Sequence, residues 1–368
     1  MRTRTTPWYR TSLVDLVVRL LYYSGVLHCV GLIRKFLGKK RLIVLMYHRL
    51  TGPGASGAIG GLDYGDAVPC EHFDGHMRLL RWFGLPVSVD EGYTRLVNHS
   101  PGPRTLIAVT FDDGYRDNFV LGTRVWKKYR LPVTVFPAVS AIDRGEWLWW
   151  DELLQIVGHA DSLDHDLKAL LELVCELVGD SRESEPTAKT FERMELVNYL
   201  VPRLKLLPME IRDDVLDELA CRLGVRRQQP TAVHSGTSAT GHEGRVYMTW
   251  AELHEQAREG VQVGGHTVHH PSLPFERADV ARQEIQECRV HLESKLGRAV
   301  TCFAYPGGFH GDREVQFVRE AGYRVAVTVE KGVNGRDADP YRLRRIAVSW
   351  DHPHHLAFKL AFCEWLFR

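Results

Sequence analysis

The sequence has no C-x-x-C pair, no uninterrupted apolar run long enough to cross a membrane, and no excess of either charge. Its seven cysteines, Cys29, Cys70, Cys175, Cys221, Cys288, Cys302 and Cys363, are odd in number and scattered. That spacing reads as reduced thiols acting as small buried hydrophobes and argues against a secreted disulfide framework. The stretch Leu13 to Ile33 is apolar-rich, but Asp15, Arg19 and His28 interrupt it and no small-residue cleavage site follows a clean core. It makes a poor signal peptide and a poor membrane span, so a cytoplasmic location is the expectation. A formal net charge of +1 and the lack of a basic-aromatic module leave no reason to expect a nucleic-acid partner.

What is present is enough apolar sequence, 44% of 368 residues, for a substantial core. The most informative stretch is Leu106-Ile107-Ala108-Val109 running into Thr110-Phe111-Asp112-Asp113-Gly114-Tyr115. Branched apolar residues ending in two acids and a glycine read as a buried strand that delivers carboxylates to its C-terminal rim, where α/β folds place chemistry. Neighbouring strand residues point to opposite sides, so Asp112 and Asp113 can take different tasks. The bland alternative is that the pair merely caps a following helix.

A second such segment is Val261-Gln262-Val263-Gly264-Gly265-His266-Thr267-Val268-His269-His270-Pro271. His266 and His270 stand four apart, a spacing that puts both imidazoles on one side of a helical turn. Two imidazoles and one carboxylate leave a coordination position open, the mark of a catalytic zinc site as opposed to a closed structural one. His269 stays open as an alternative to His270. The third segment, Cys302-Phe303-Ala304-Tyr305-Pro306-Gly307-Gly308, is again a short apolar run breaking at a turn.

Together these segments resemble the polysaccharide deacetylase family, also called the NodB homology domain or carbohydrate esterase family 4. The resemblance extends from about Leu42 to Val348. With Leu45-Met46-Tyr47-His48-Arg49 it is similar to the exopolysaccharide de-N-acetylase branch. It implies a distorted (β/α) barrel with about seven parallel strands, and the strand–helix alternation of the sequence argues independently for such a barrel. It also implies that Asp113, His266 and His270 hold a divalent metal, zinc by its donor set, that Asp112 is the base, and that His48 donates a proton to the leaving amine. An oxyanion would be held by the metal and by the backbone N–H of Tyr305. The implied substrate is an N-acetylated carbohydrate, and the implied enzyme a hydrolase of carbon–nitrogen bonds in linear amides.

The chain also departs from the family pattern. Ala304 stands where many members have an arginine that orients the base, which turns attention to Arg345 as its replacement. No leucine-x-leucine-histidine motif is evident, and His352, His354 and His355 are weaker substitutes for it than His48.

Residues 1–41 read as a basic segment with one amphipathic helix, suited to an anionic membrane surface or to packing on the domain. Residues 42–348 form the catalytic domain, interrupted by a helical insertion over 153–245 whose end, 226–245, reads as a polar connector carrying His234 and His242. Thr51 to Val68 reads as a loop, Asn118 to Tyr129 as a helix and Pro86 to Val89 as a strand. Residues 349–368 read as a second amphipathic helix that could share membrane contact with the first. Trp147, Trp149 and Trp150 are candidates for stacking on sugar rings, with packing as the plainer role. Two other functions stay open: deacylation of a lipid-linked or monomeric amino sugar at the inner membrane face, and a catalytically inactive carbohydrate-binding barrel.

Overall fold

The computed structural model describes residues 12–53, 58–59, 61–62, 67–98, 101–161, 163, 167–179, 192–227, 245–349 and 351–366. Its strands are β1 (Arg41–Tyr47), β2 (Arg49–Thr51), β3 (Ala67–Pro69), β4 (Leu85–Val87), β5 (Thr105–Asp113), β6 (Val133–Pro137), β7 (Gln262–Val263), β8 (Cys302–Ala304), β9 (Val325–Lys331) and β10 (Leu343–Ala347). The α-helices are α1 (Ser12–Tyr23), α2 (Val26–Phe36), α3 (Cys70–Phe83), α4 (Val89–Val97), α5 (Thr123–Tyr129), α6 (Val139–Asp143), α7 (Trp149–His159), α8 (Lys168–Leu177), α9 (Arg193–Leu204), α10 (Met209–Arg222), α11 (Trp250–Arg258), α12 (Ala278–Leu296), α13 (Asp312–Glu320) and α14 (Pro353–Leu366).

Seven strands run in the order β7-β6-β5-β1-β10-β9-β8, and all of these pairings are parallel. The ring closes through a parallel bridge between Gly265 and Phe303. There the Gly265 N–H donates to the Cys302 carbonyl at 2.9 Å, and Gly265 accepts from the Ala304 N–H at 2.9 Å. This is the distorted (β/α) barrel with seven parallel strands that the sequence implied. β4 pairs with the first half of β5, below the point where β6 takes over.

Strand alternation sorts the core. Leu42, Val44, Leu106, Ala108, Phe136, Ala304 and Val327 fill the barrel interior. Ile43, Leu45, Tyr47, Ile107 and Val109 point outward and pack with the surrounding helices. Helices α7 to α10 make the insertion, with their own core built on Leu153, Leu170, Leu196, Leu200 and Leu216.

Several local expectations need correction. The amphipathic N-terminal helix is two helices bent by 68°, because Ser24 and Gly25 break it and Gly25 sits at φ 82°. The strand at Pro86 stops at Val87, since Ser88 caps α4 by accepting from the Glu91 N–H at 3.3 Å. The helix at Asn118 opens with a π-turn over Asn118–Gly122 before α5. The loop after Thr51 includes β3, paired in parallel with β2. The C-terminal helix α14 buries Leu356, Ala357, Leu360, Ala361 and Cys363, so it is a packed element and not a second surface helix. Most of the 226–245 connector, with His234 and His242, lies outside the described residues, as do Arg2, Arg4 and Arg10. Thr249 caps α11 as expected, in a reciprocal capping box with Glu252.

The seam leaves no room for a larger residue. A Cβ at Gly264 would meet Phe136 Cε1 at 2.4 Å and the Cys302 carbonyl oxygen at 2.8 Å. Gly264→Ala should therefore destabilise the protein by roughly 1–3 kcal/mol, read as a lowered urea midpoint. An unchanged midpoint would mean that the seam is not tightly packed.

Candidate active site

The C-terminal ends of β1 and β5, Val329 of β9 and the loops after β7 and β8 converge on one cavity of about 110 Å³, room for a few waters or a small acyl group. His48, Asp112, Asp113, His266 and His270 all line it, although the first and last of them stand more than two hundred residues apart in the chain.

Asp112 ends on a buried ion pair. Arg345 Nη1 donates to its Oδ1 at 2.8 Å and Nη2 to its Oδ2 at 2.7 Å, with the arginine side chain fully inaccessible. The guanidinium is itself fixed by Nε donating to the Thr328 carbonyl at 2.7 Å. Burial pushes the Asp112 carboxyl up, but the guanidinium outweighs it and holds the group below the usual carboxylate range, with His266 and His48 contributing. Arg345 thus stands where the sequence pattern lacked an arginine.

Asp113 breaks the strand alternation. It adopts φ 73°, a left-handed conformation that aspartate tolerates better than most residues, and Gly114 follows at φ 85°. The twist turns its carboxylate onto the same cavity as Asp112. Its Oδ1 lies 3.4 Å from His266 Nε2 and 3.5 Å from His270 Nε2.

The histidines do not sit on a helical turn. They belong to an irregular loop in which Thr267 and His270 take φ 65° and 57°. His266 Nδ1 lies 2.7 Å from the Ala304 carbonyl, so it carries the proton and leaves Nε2 facing Asp113. Glu284 of α12 pins the loop: its Oε2 accepts from the Val268 and His269 N–H groups at 2.9 Å each, and its Oε1 takes His269 Nδ1 at 2.6 Å. This contact faces His269 away from Asp113, so the structure pairs Asp113 with His270.

Asp113 stands from both imidazoles at distances that suit a shared metal ion, with all three donor atoms within 4.8 Å of one another. Four ligands at about 2.0–2.2 Å in a tetrahedron lie about 3.3–3.6 Å apart, beyond hydrogen-bond length, and the distances to Asp113 fall in that range. His270 Nδ1 is buried without a hydrogen-bond partner. A second carboxylate–histidine group, Asp15 with His354 and His355, has closer contacts of 3.0 and 2.7 Å. That is hydrogen-bond spacing, and Arg19 occupies the other oxygen at 2.8 Å. It clasps α1 to α14, away from the cavity-lining set, which removes His354 and His355 as acid candidates.

One expected role is corrected. The Tyr305 N–H already donates to the Val327 carbonyl at 3.2 Å, and Tyr305 is fully buried against His310, so it offers no oxyanion donor. Gly307 is the member of that turn that reaches the cavity.

Sequence reasoning singled out Trp150 but missed the rest of the far wall. Asp151, Tyr115 and Trp150 line the cavity, joined by Leu154, Val201 and Lys205 of the helical insertion. Trp150 sets its ring edge-on to His270 at 4.5 Å and donates Nε1–H to the Tyr115 hydroxyl at 2.9 Å. Tyr115 in turn donates to Asp151 Oδ2 at 2.8 Å, and Tyr247 donates to the same oxygen. Trp149 is buried and Trp147 packs beside Tyr247, so the tryptophan cluster mainly builds this wall. The only sequence signal was Trp150-Asp151 itself, whose partners Tyr115 and Tyr247 are distant in the chain.

Fold and site together define a (β/α)-barrel protein with an open His-His-carboxylate centre beside an arginine-held acid. Residues 231–326 match the family model described as polysaccharide deacetylase. The putative polysaccharide deacetylase YxkH of Bacillus subtilis is 26% identical over 109 residues, 30% of this chain and 38% of that protein, so the match spans well under half of this relative. Among solved structures, the Streptococcus pyogenes deacetylase PplD in complex with acetate is similar with a TM-score of 0.56 and 17% identity, covering 88% of this chain and 99% of that one. IcaB from Ammonifex degensii is similar with a TM-score of 0.53 and 19% identity, covering 89% and 99%. These structural likenesses concern the fold.

Two outcomes test the site's construction. Glu284→Ala should lower zinc affinity about ten- to a hundredfold, measured by competition with a chromophoric chelator, because the loop loses its anchor; unchanged affinity would remove Glu284 from that role. Burial and the nearby Asp113 charge push the Asp151 carboxyl up to about 7, against the pull of Arg49 and the two tyrosines. A raised acid favours folding while protonated, and its contribution is lost as pH rises from the unfolded value near 4 through about 7. In metal-free protein, Asp151→Asn should flatten the fall in stability across that window; an identical slope would contradict the assignment.

Proposed function

We propose that this protein is a metal-dependent hydrolase that removes N-acetyl groups from an amino-sugar polysaccharide or oligosaccharide. The observation that carries the reading is one cavity holding a metal-spaced Asp113–His266–His270 set beside an Asp112 kept ionised by Arg345.

A divalent ion, zinc by its donor set, would be held by Asp113 Oδ1, His266 Nε2 and His270 Nε2 and would supply a Lewis acid that also acidifies water. Asp112 is the proton acceptor: each of its oxygens keeps a lone pair after pairing with Arg345, and the arginine fixes the direction in which it accepts. Because that pairing makes Asp112 a weak base, it can take a proton only from water already made acidic. The oxygen adds to the acetyl carbon, and the backbone at Gly307 replaces Tyr305 as candidate donor to the developing oxyanion. His48, on the same cavity and close enough to Asp112 to influence its carboxyl, gives a proton to the nitrogen as the C–N bond breaks. The products are acetate and a free amino sugar.

A second reading, deacylation of a lipid-linked or monomeric amino sugar, is supported by the exposed apolar helices α1 and α2. Polymeric and lipid-linked substrates assayed side by side distinguish the two. Purified, zinc-loaded protein should release acetate from an N-acetylglucosamine oligosaccharide or its lipid-linked counterpart. Asp112→Asn should cut turnover at least about a hundredfold with metal retained, whereas His270→Ala should lose metal and turnover together. Metal retained at full stoichiometry in His270→Ala, or turnover surviving in Asp112→Asn, would overturn the assignment.

A further inference from the structure

The outward side of the N-terminal helix pair is apolar where a surface helix is normally polar. In α1, Val14, Val18 and Leu21 already pack inward, yet Leu13, Leu16, Val17 and Leu20 recur at helical spacing on the exposed side. Likewise α2 buries Leu27 and sets Gly31 against Phe83, while Ile33 and Phe36 stay exposed. More than half of the large hydrophobic side chains exposed among the described residues fall between Leu13 and Leu37, with Leu13 at 73% and Tyr23 at 78%. Scattered exposed leucines need no explanation, but a concentration on one helix pair does.

Charge selects among possible occupants. Residues 12–41 carry six basic side chains and one acid, Asp15; Arg19 pairs with Asp15, Arg34 and Arg41 pair with Glu364 of α14, and Lys40 is buried, which leaves Lys35 and Lys39 as the cations at the edge of the face. That acid is turned onto Arg19, His354 and His355. An apolar face with basic residues and aromatic side chains at its edges matches an anionic lipid surface. A second copy of the same face would set like charges against each other. No single described helix is long and apolar enough to cross a bilayer, and the 68° bend lets both helices lie along a surface.

We propose that α1 and α2 form a docking face for an anionic bilayer and seat the protein with its catalytic rim beside the membrane. The placement follows from the clasp. His354 and His355 begin α14 just beyond the end of β10, the strand whose Arg345 holds Asp112, so Asp15 ties α1 to the rim side of the barrel. The far end of α2 reaches the opposite end of the barrel, where the Lys35 carbonyl accepts from the Arg104 N–H at 2.6 Å. The proposal does not depend on the deacetylase reading.

The test is sedimentation of the full-length protein with vesicles of phosphatidylcholine alone and of phosphatidylcholine mixed with phosphatidylglycerol. The wild-type protein should pellet with the anionic vesicles, less so at high salt. The double variant Leu16→Glu/Leu20→Glu, with circular dichroism and melting behaviour unchanged, should bind at least roughly tenfold more weakly. Wild-type protein left in the supernatant, or a double variant that pellets like wild type, would overturn the proposal. So would a dimer by light scattering that the same substitutions split, with no vesicle binding.

Discussion

The buried pair between Arg345 and Asp112 is the contact on which the site depends. It joins β10 to β5 across β1, and both side chains are almost wholly withdrawn from water. Such a pair adds little net stability over apolar packing, but losing one partner leaves an uncompensated buried charge that costs about 3–5 kcal/mol. What it provides is an ionised carboxylate with a fixed direction, at the cost of basicity. The neighbouring cluster of Asp113, His266 and His270 opens on the same cavity.

That cluster is shaped by backbone conformation as much as by side chains. Four non-glycine residues take left-handed φ among the described residues, and three of them, Asp113, Thr267 and His270, lie in or between the donors. Each conformation costs about 1–3 kcal/mol unless its surroundings enforce it. Here the enforcement is visible: Glu284 holds the loop from α12, while the Val139 and Ser140 N–H groups donate to the Thr267 and Val268 carbonyls at 3.2 and 2.9 Å. The barrel closure at Gly265, one residue before His266, fixes the loop's origin.

Much of this was legible in the sequence because strands deliver rim residues in chain order. The apolar run before Asp112 and the one before His266 each announced a strand, and the missing arginine at Ala304 directed attention to Arg345. Conformation was less legible. A four-residue histidine spacing suggests a helical turn, and only the tertiary contacts of Glu284 show why the chain adopts a loop instead. Tyr305 looked available because its sheet partner, Val327, is supplied by a strand whose register the sequence does not reveal. The wall of Tyr115, Asp151 and Tyr247 depends on the helical insertion folding back over the rim, a long-range arrangement with no local pattern.

The most direct measurement is anomalous diffraction at the zinc absorption edge from crystals of the zinc-loaded protein. The account predicts a peak at full occupancy among Asp113 Oδ1, His266 Nε2 and His270 Nε2, and none at Asp15 with His354 and His355. A dominant peak at the Asp15 group, or no peak beside Asp113, would contradict it.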